Sequence, residues 1–183
     1  MNSLIPTFTT ARLTLRPFTE DDVEPLRRVM GDREVLRYFP SSDPPSRERI
    51  ERLIQFQLRH WEEHGYGWWA VMLQREAQLG EPLVELPLIG WAGLQYLPET
   101  DETEVGYLLG KPYWGRGLAT EAARESVRFG FEDLGIETIV GVVHPENIAS
   151  QRVLEKAGLS FVEEANYFGM DVRRYVRTRR TGT

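Results

Sequence analysis

The chain has 183 residues, a single-domain length, and its 41% hydrophobic and 27% charged residues exclude a disordered polymer. Its 22 basic against 28 acidic residues leave a net charge of −6, so no overall basic field exists to hold nucleic acid or an anionic membrane. Cysteine is absent, which removes disulfides, thiolate metal sites, iron–sulfur clusters and a cysteine nucleophile together. Met1 to Thr10 has no charged-then-apolar leader pattern, and no apolar run approaches the roughly 20 residues that span a bilayer. The expectation is a soluble, cytoplasmic protein. It is expected to be one domain over 1–183, with a core from about 10 to 177 and short tails.

In chain order, Ala11-Arg-Leu-Thr-Leu-Arg-Pro-Phe18 alternates Leu13 and Leu15 with polar neighbours, a half-buried strand stopped by Pro17. Thr19 and the acids after it open a short helix toward Met30. Ser46 caps a longer helix ending near Gly65, with Ile50, Leu53, Ile54, Gln57, Leu58 and Trp61 as its apolar stripe. The period then changes. Trp68 to Leu73 and Leu88 to Leu94 read as strands joined by a polar segment around Gly80-Glu-Pro82, and Glu102 to Gly110 as a third.

Gly117 to Leu134 reads as a strong helix, burying Ala119, Ala123, Val127, Phe131 and Leu134 and turning Glu121, Arg124, Glu125, Arg128 and Glu132 to solvent. Thr138 to Val143 is a buried strand, and Asn147 to Ala157 a second amphipathic helix closed by Gly158. Phe161 to Phe168 and Met170 to Val176 complete the set as strands. Arg173, Arg174, Arg177, Arg179 and Arg180 are expected on a solvated edge strand and frayed tail. Strands and helices mixed around one sheet make the class α+β, or α/β with a mixed sheet.

The chemistry concentrates where a strand ends, a loop carries Gly115 and Gly117, and a helix starts at once. Two glycines beside a helix N-terminus expose backbone N–H groups to an anion, and the helix dipole adds positive potential. Such a loop suits a phosphate or pyrophosphate, with Arg116 and Lys111 adding charge; a plain strand-to-helix turn is the other reading. A dinucleotide-binding turn fits poorly, because Thr120 holds the third glycine position and no acid follows Val143-His144. A P-loop fits worse, since no Gly-Lys-Ser/Thr stands at its spacing.

Gly115-Arg-Gly-Leu-Ala-Thr120 resembles the acetyl-CoA pyrophosphate loop of the GNAT superfamily of N-acetyltransferases. Asn147-Ile-Ala-Ser150, followed by Arg152 through Phe161, is similar to that family's second cofactor element. Arg12-Leu-Thr-Leu-Arg-Pro-Phe18 resembles the branch that includes the ribosomal-protein N-terminal alanine acetyltransferases, a branch in which Trp114 is also common. The resemblance implies the acyl-CoA N-acyltransferase fold: a mixed, mostly antiparallel sheet of six to seven strands with about four flanking helices. It implies acetyl-CoA as cosubstrate. Backbone groups of Leu108, Leu109 and Gly110 would bind pantetheine, and N–H groups from Gly115, Arg116, Gly117, Leu118, Ala119 and Thr120 would hold the pyrophosphate. Asn147 would contact the pantetheine arm, and Ser150 would lie near the thiol. The tyrosine acid that the wider family carries one turn after Ser150 is replaced here by Leu154.

Read on their own, Asn147 is also a helix cap, and Ser150 is either a first-turn serine or a candidate catalytic acid whose hydroxyl could protonate a leaving thiolate. Arg152 and Lys156 are a solvated face or a pair of phosphate contacts. Glu104 shares a strand face with Gly106 and Leu108, and the small Gly106 would leave room for an acceptor beside it; Glu104 is the candidate base. His60 and His64 are four apart on a helix, but Trp61 stands where a zinc hydrolase needs glutamate, so no metal site is expected. Tyr38, Phe39, Trp61, Trp68, Trp69 and Trp91 read mainly as core, with Tyr38 and Phe39 the candidates to face an acceptor. The expected activity is acetyl transfer to a primary amine, a protein N-terminus or a small molecule, by direct attack in a ternary complex. The chain is expected as a monomer or homodimer. The rival is a non-catalytic acyl-CoA sensor or scaffold that keeps the phosphate loop and lacks the base.

Overall fold

The computed structural model of the protein describes residues 5–74 and 87–179. The expected Gly80–Pro82 connection and Arg180 lie outside these described residues. The chain begins as a hairpin, with β1 (Phe8–Thr9) turning back antiparallel on β2 (Leu13–Arg16), whose leucines point inward. Thr19 and Asp22 form a capping box before α1 (Val23–Val29). Ser46 Oγ accepts from the Arg49 N–H to open α2 (Arg47–His64), and Gly65 closes it.

The rest of the chain supplies β3 (Trp68–Leu73), β4 (Leu88–Leu97), β5 (Glu102–Leu109), α3 (Leu118–Arg128), β6 (Thr138–Val143), α4 (Ile148–Lys156), β7 (Ser160–Tyr167) and β8 (Met170–Thr178). Among the described residues, all eight strands join one sheet in the order β1-β2-β3-β4-β5-β6-β8-β7. One face of the sheet packs Leu15, Val71, Leu94, Val105 and Ile139 against α3 and α4, with Leu118, Val127 and Leu154 among the helix residues. The other face packs Ala70, Trp91 and Leu108 against α1 and α2 through Leu26, Ile50 and Ile54.

Three expectations need correction. The sheet has eight strands rather than six to seven; the extra one, β1, is two residues long and too short to leave an alternation in the sequence. The helix expected to reach Leu134 keeps α geometry only to Arg128 and then widens into a π-type turn over Phe129–Asp133. That wider turn, closed by Leu134 N–H to Phe129 O at 3.1 Å, brings Phe129 and Phe131 into the core and turns Leu134 out. Finally, β8 is not an edge strand. It lies between β6 and β7, so Arg173 and Arg174 are half-buried: Arg174 pairs with Glu102 of β5, and Arg173 donates to Gln151 Oε1 at 2.8 Å.

The feature that positions the site is the one parallel neighbour pair. β5 and β6 are in register only at Glu104↔Val140, whereas β4 and β5 pair through eight positions. Beyond Glu104 the two strands diverge, and a cleft opens in the sheet.

Candidate active site

The cleft has a volume of about 910 Å³, near the upper end of the roughly 300–1,000 Å³ range of small-molecule sites. Its walls come from β5, β6, α3, α4 and the loop after α1. At one end, Gly115 and Gly117 both take left-handed backbone conformations, φ 71° and 76°, that L side chains avoid. Gly117 caps α3, and the Glu121 N–H returns to Gly117 O at 3.1 Å as the first bond of the helix ladder. The N–H groups of Leu118, Ala119 and Thr120 therefore leave the helix at its positive end.

The loop is held from behind. Arg12 Nη1 donates to the Arg116 carbonyl at 2.7 Å, while Arg12 Nε and its backbone N–H both donate to the Glu121 carboxylate at 2.7 Å. Thr10 Oγ1 adds a bond of 2.6 Å. Glu121 is thus not the solvent-facing acid expected from the helix pattern. Burial raises its pKa, but the bonds from Thr10 and Arg12 outweigh that and hold it below the usual carboxylate range.

At the fork of the cleft stands Glu104. Enclosure by protein pushes its pKa up to about 8, the Val142 backbone N–H pulls it down, and nearby Glu102 raises it further. The carboxyl reaches that amide because β6 has left β5 beyond Val140. Gly106 does not leave the open space expected of it. A Cβ there would meet the Trp91 ring at 3.2 Å, and Trp91 stacks on Trp68 at 3.7 Å with 8° between the planes. Both indole Nε1 atoms are buried without a hydrogen-bond partner. Phe39 meets Trp91 edge-on, and Tyr38 stacks on His144 at 5.2 Å, so the loop after α1 closes over the end of β6.

On the opposite wall, Asn147 Oδ1 caps α4 by accepting the Ser150 N–H at 3.1 Å. Ser150 Oγ lies 2.8 Å from the hydroxyl of Tyr107, a residue the sequence reading passed over. The usable signal was strand parity, since Tyr107 alternates with Gly106 and Leu108 and so faces α4. The Leu109 carbonyl accepts Trp114 Nε1 at 2.7 Å. Gly110, expected among the pantetheine contacts, has its N–H on Ile89 O and its C=O on the Tyr113 N–H, so both groups are engaged within the protein. Arg152 and Lys156 line the cleft. His60 has both ring nitrogens in hydrogen bonds, to Tyr66 O and the Tyr96 N–H. No helix among the described residues is long and apolar enough to cross a membrane.

The profile of the acetyltransferase (GNAT) domain matches residues 12–160. The FsC-acetyl coenzyme A-N(2)-transacetylase of Aspergillus fumigatus is 30% identical over 172 residues, covering 86% of this chain and 66% of that protein. Among solved structures, an acetyltransferase from Agrobacterium tumefaciens superposes with a TM-score of 0.80 at 28% identity, covering 98% of each chain. RimL, a ribosomal L7/L12 alpha-N-protein acetyltransferase in complex with coenzyme A, shares the fold at a TM-score of 0.75 and 19% identity, over 97% of this chain and 98% of that one. The chain belongs to the GNAT family of acetyltransferases.

Proposed function

We propose that this acetyltransferase moves acetyl from acetyl-CoA to a primary amine by direct attack within a ternary complex. The observation that carries the reading is the pairing, in one forked cleft, of a left-handed two-glycine loop at a helix N-terminus with a carboxyl whose pKa lies near 8. The N–H groups of Gly115 to Thr120 hold the pyrophosphate. Of the expected backbone groups, the Leu109 N–H takes the pantetheine arm, because Trp114 Nε1 holds the Leu109 carbonyl and the Leu108 carbonyl is directed at Gly90 of β4. Asn147 contacts the arm through its amide nitrogen, since its oxygen is used by the cap.

An amine arrives near pH 7 mostly as ammonium, and only the neutral form attacks. Glu104, poised near 8, takes that proton directly or through a water once ionised. As the C–N bond forms and the C–S bond breaks, the electron pair stays on sulfur. Ser150 Oγ–H stabilises the departing thiolate by a hydrogen bond. The nitrogen, cationic after attack, gives its second proton to solvent as the amide forms. No proton needs to leave the serine, because a thiol is the stronger acid; the thiolate is protonated from solvent.

The net charge of −6 favours cationic acceptors. A protein N-terminus and a small-molecule amine both satisfy this chemistry. The test has two steps. Acetyl-CoA should raise the thermal unfolding temperature where NAD and ATP do not. An amine panel followed by free-thiol release should then find turnover; stabilisation without thiol release from any amine would instead indicate a sensor.

A further inference from the structure

Tyr107 reaches the site from the strand wall rather than from the helix. Its ring packs among partly buried residues of the main core and also lines the cleft. Its hydroxyl lies 2.8 Å from Ser150 Oγ and 3.0 Å from the Ser150 carbonyl, so one phenol faces two acceptors of the same residue with one proton to give. The carbonyl sits inside α4, where the amide four residues on already serves it. Leu154, one turn along the same helix, is only 1% exposed and belongs to the core.

The two hydroxyls admit two arrangements. In one, Ser150 donates to Tyr107 and Tyr107 donates to the carbonyl, closing a ring with no proton left for a ligand. In the other, Tyr107 donates to Ser150 Oγ, and the serine proton is free to point into the cleft. Passing between them requires rotation of two O–H bonds and no movement of heavy atoms. A hydroxyl that accepts one hydrogen bond is also polarised into a better donor of its own.

We propose that Tyr107 is a positioning residue for leaving-group departure: its phenol donates to Ser150 Oγ and turns the serine proton toward the sulfur. This rests on the reading of Ser150 given above. Enclosure raises the phenol pKa, the bond with Ser150 lowers it and the nearby Glu104 raises it; the net shift is upward, so Tyr107 keeps its proton throughout the reaction. Its part is therefore orientation, and the proton count of the transfer is unchanged.

A double-mutant cycle on the full chain tests the inference. Tyr107→Phe, Ser150→Ala and the double variant are compared with wild type for kcat and KM, using the amine that gives turnover in the panel. Their CoA dissociation constants are measured by calorimetry, and folding is checked by thermal unfolding. Tyr107→Phe should lower kcat about three- to tenfold and leave the CoA constant within about twofold, a loss of the size expected for one oriented hydrogen bond. In the Ser150→Ala background the same substitution should change nothing further. In the serine-containing background, an acetyl thioester of a more acidic thiol should shrink the Tyr107→Phe effect.

Equal losses in both backgrounds would overturn the inference, because Tyr107 would then act independently of Ser150. So would an unchanged kcat in Tyr107→Phe beside a lowered one in Ser150→Ala. If Ser150→Ala itself leaves kcat unchanged, the serine's role fails first and that of Tyr107 falls with it. Should Tyr107→Phe not fold, the wild-type and Ser150→Ala enzymes still decide on the two thioesters: equal sensitivity to leaving-group acidity in both refutes leaving-group assistance.

Discussion

Arg12 closes on Glu121 across 109 residues of chain, and with its remaining reach it holds the Arg116 carbonyl at 2.7 Å. One guanidinium thus ties the opening strand to both the phosphate loop and the first turn of α3. It also neutralises an acid that would otherwise stand beside the proposed pyrophosphate site. Removing it leaves a partly buried carboxylate next to the anion site. Arg12→Ala should weaken acetyl-CoA about tenfold, roughly 1.4 kcal/mol, with a much smaller change in kcat. Calorimetric titration checks this, and Arg12→Ala combined with Glu121→Gln should recover part of the affinity.

Gly117 can be replaced only at a cost in strain, because its φ of 76° lies in the left-handed region. A Cβ there would also lie 3.5 Å from Arg12 Nη2. Gly117→Val should reduce acetyl-CoA affinity tens-fold, about 2 kcal/mol, in a protein that still folds. An unchanged dissociation constant in the folded variant would remove the phosphate loop from the proposed binding mode.

Glu104 should reveal itself in the pH–rate profile. With a pKa of about 8, kcat/KM of the wild type should rise with pH and bend near 8. In Glu104→Gln that bend should vanish. The rate near neutral pH should drop by about 10²-fold or more and recover in part as the amine deprotonates unaided. Superimposable profiles would place the base elsewhere.

The same carboxyl makes a stability prediction of opposite sense. Its folded pKa lies above the unfolded value of 4.5, so the folded state holds the extra proton between 4.5 and about 8. The stabilisation it provides is present below 4.5 and is lost as the pH rises toward 8. Glu104→Gln should therefore gain about 1–3 kcal/mol at pH 8.5 relative to wild type, and nothing at pH 4.5. Urea unfolding at the two pH values decides it; a variant less stable at both would contradict the burial argument.

His60 acts the other way. The Tyr96 N–H needs a lone pair on Nε2, so Nδ1 carries the proton to Tyr66 O and the ring is neutral. Burial lowers its pKa, the bond to Tyr66 raises it, and His64 lowers it further, for a net depression from 6.5. Its contribution is thus present above about pH 6.5 and lost as the pH falls through the lower folded value. Between pH 7 and pH 5 the wild-type Tm should fall by about 3 °C more than that of His60→Gln in thermal unfolding scans.

Much of the fold was legible because periodicity and punctuation are local. Ser46, Gly65, Asn147 and Gly158 mark helix ends by their own backbone chemistry, and Leu13 and Leu15 mark a strand by parity. Order in the sheet is not local. That β8 enters between β6 and β7 is decided by what packs beside it, so Arg173 and Arg174 read as a solvated edge while being partners of Gln151 and Glu102. The site divides in the same way. The glycine loop and Ser150 sit in contiguous patterns, whereas Tyr107 against Ser150 is a meeting of residues 43 apart that requires β5 to lie beside α4. Gly106 illustrates a third limit: a missing side chain signals room, but the stacked indoles of Trp68 and Trp91 fill it from two other strands.

The single register pair between β5 and β6 has a mechanical consequence. β1 to β5 form one plate, and β6 to β8, contiguous in sequence, form another. Along their shared seam the plates are joined at Glu104↔Val140 and riveted nearby where Arg174 of β8 grips Glu102 of β5. A sheet fastened at one end of a seam opens as a wedge, and its weakest line of backbone cohesion runs through the proposed binding cleft. Across that line side chains stand in for a backbone ladder: the Glu104 carboxyl takes the Val142 N–H, and the Tyr107 hydroxyl meets Ser150 of α4. A ligand lodged in the wedge would brace the two plates against each other, so occupancy and cohesion of the fold rise together.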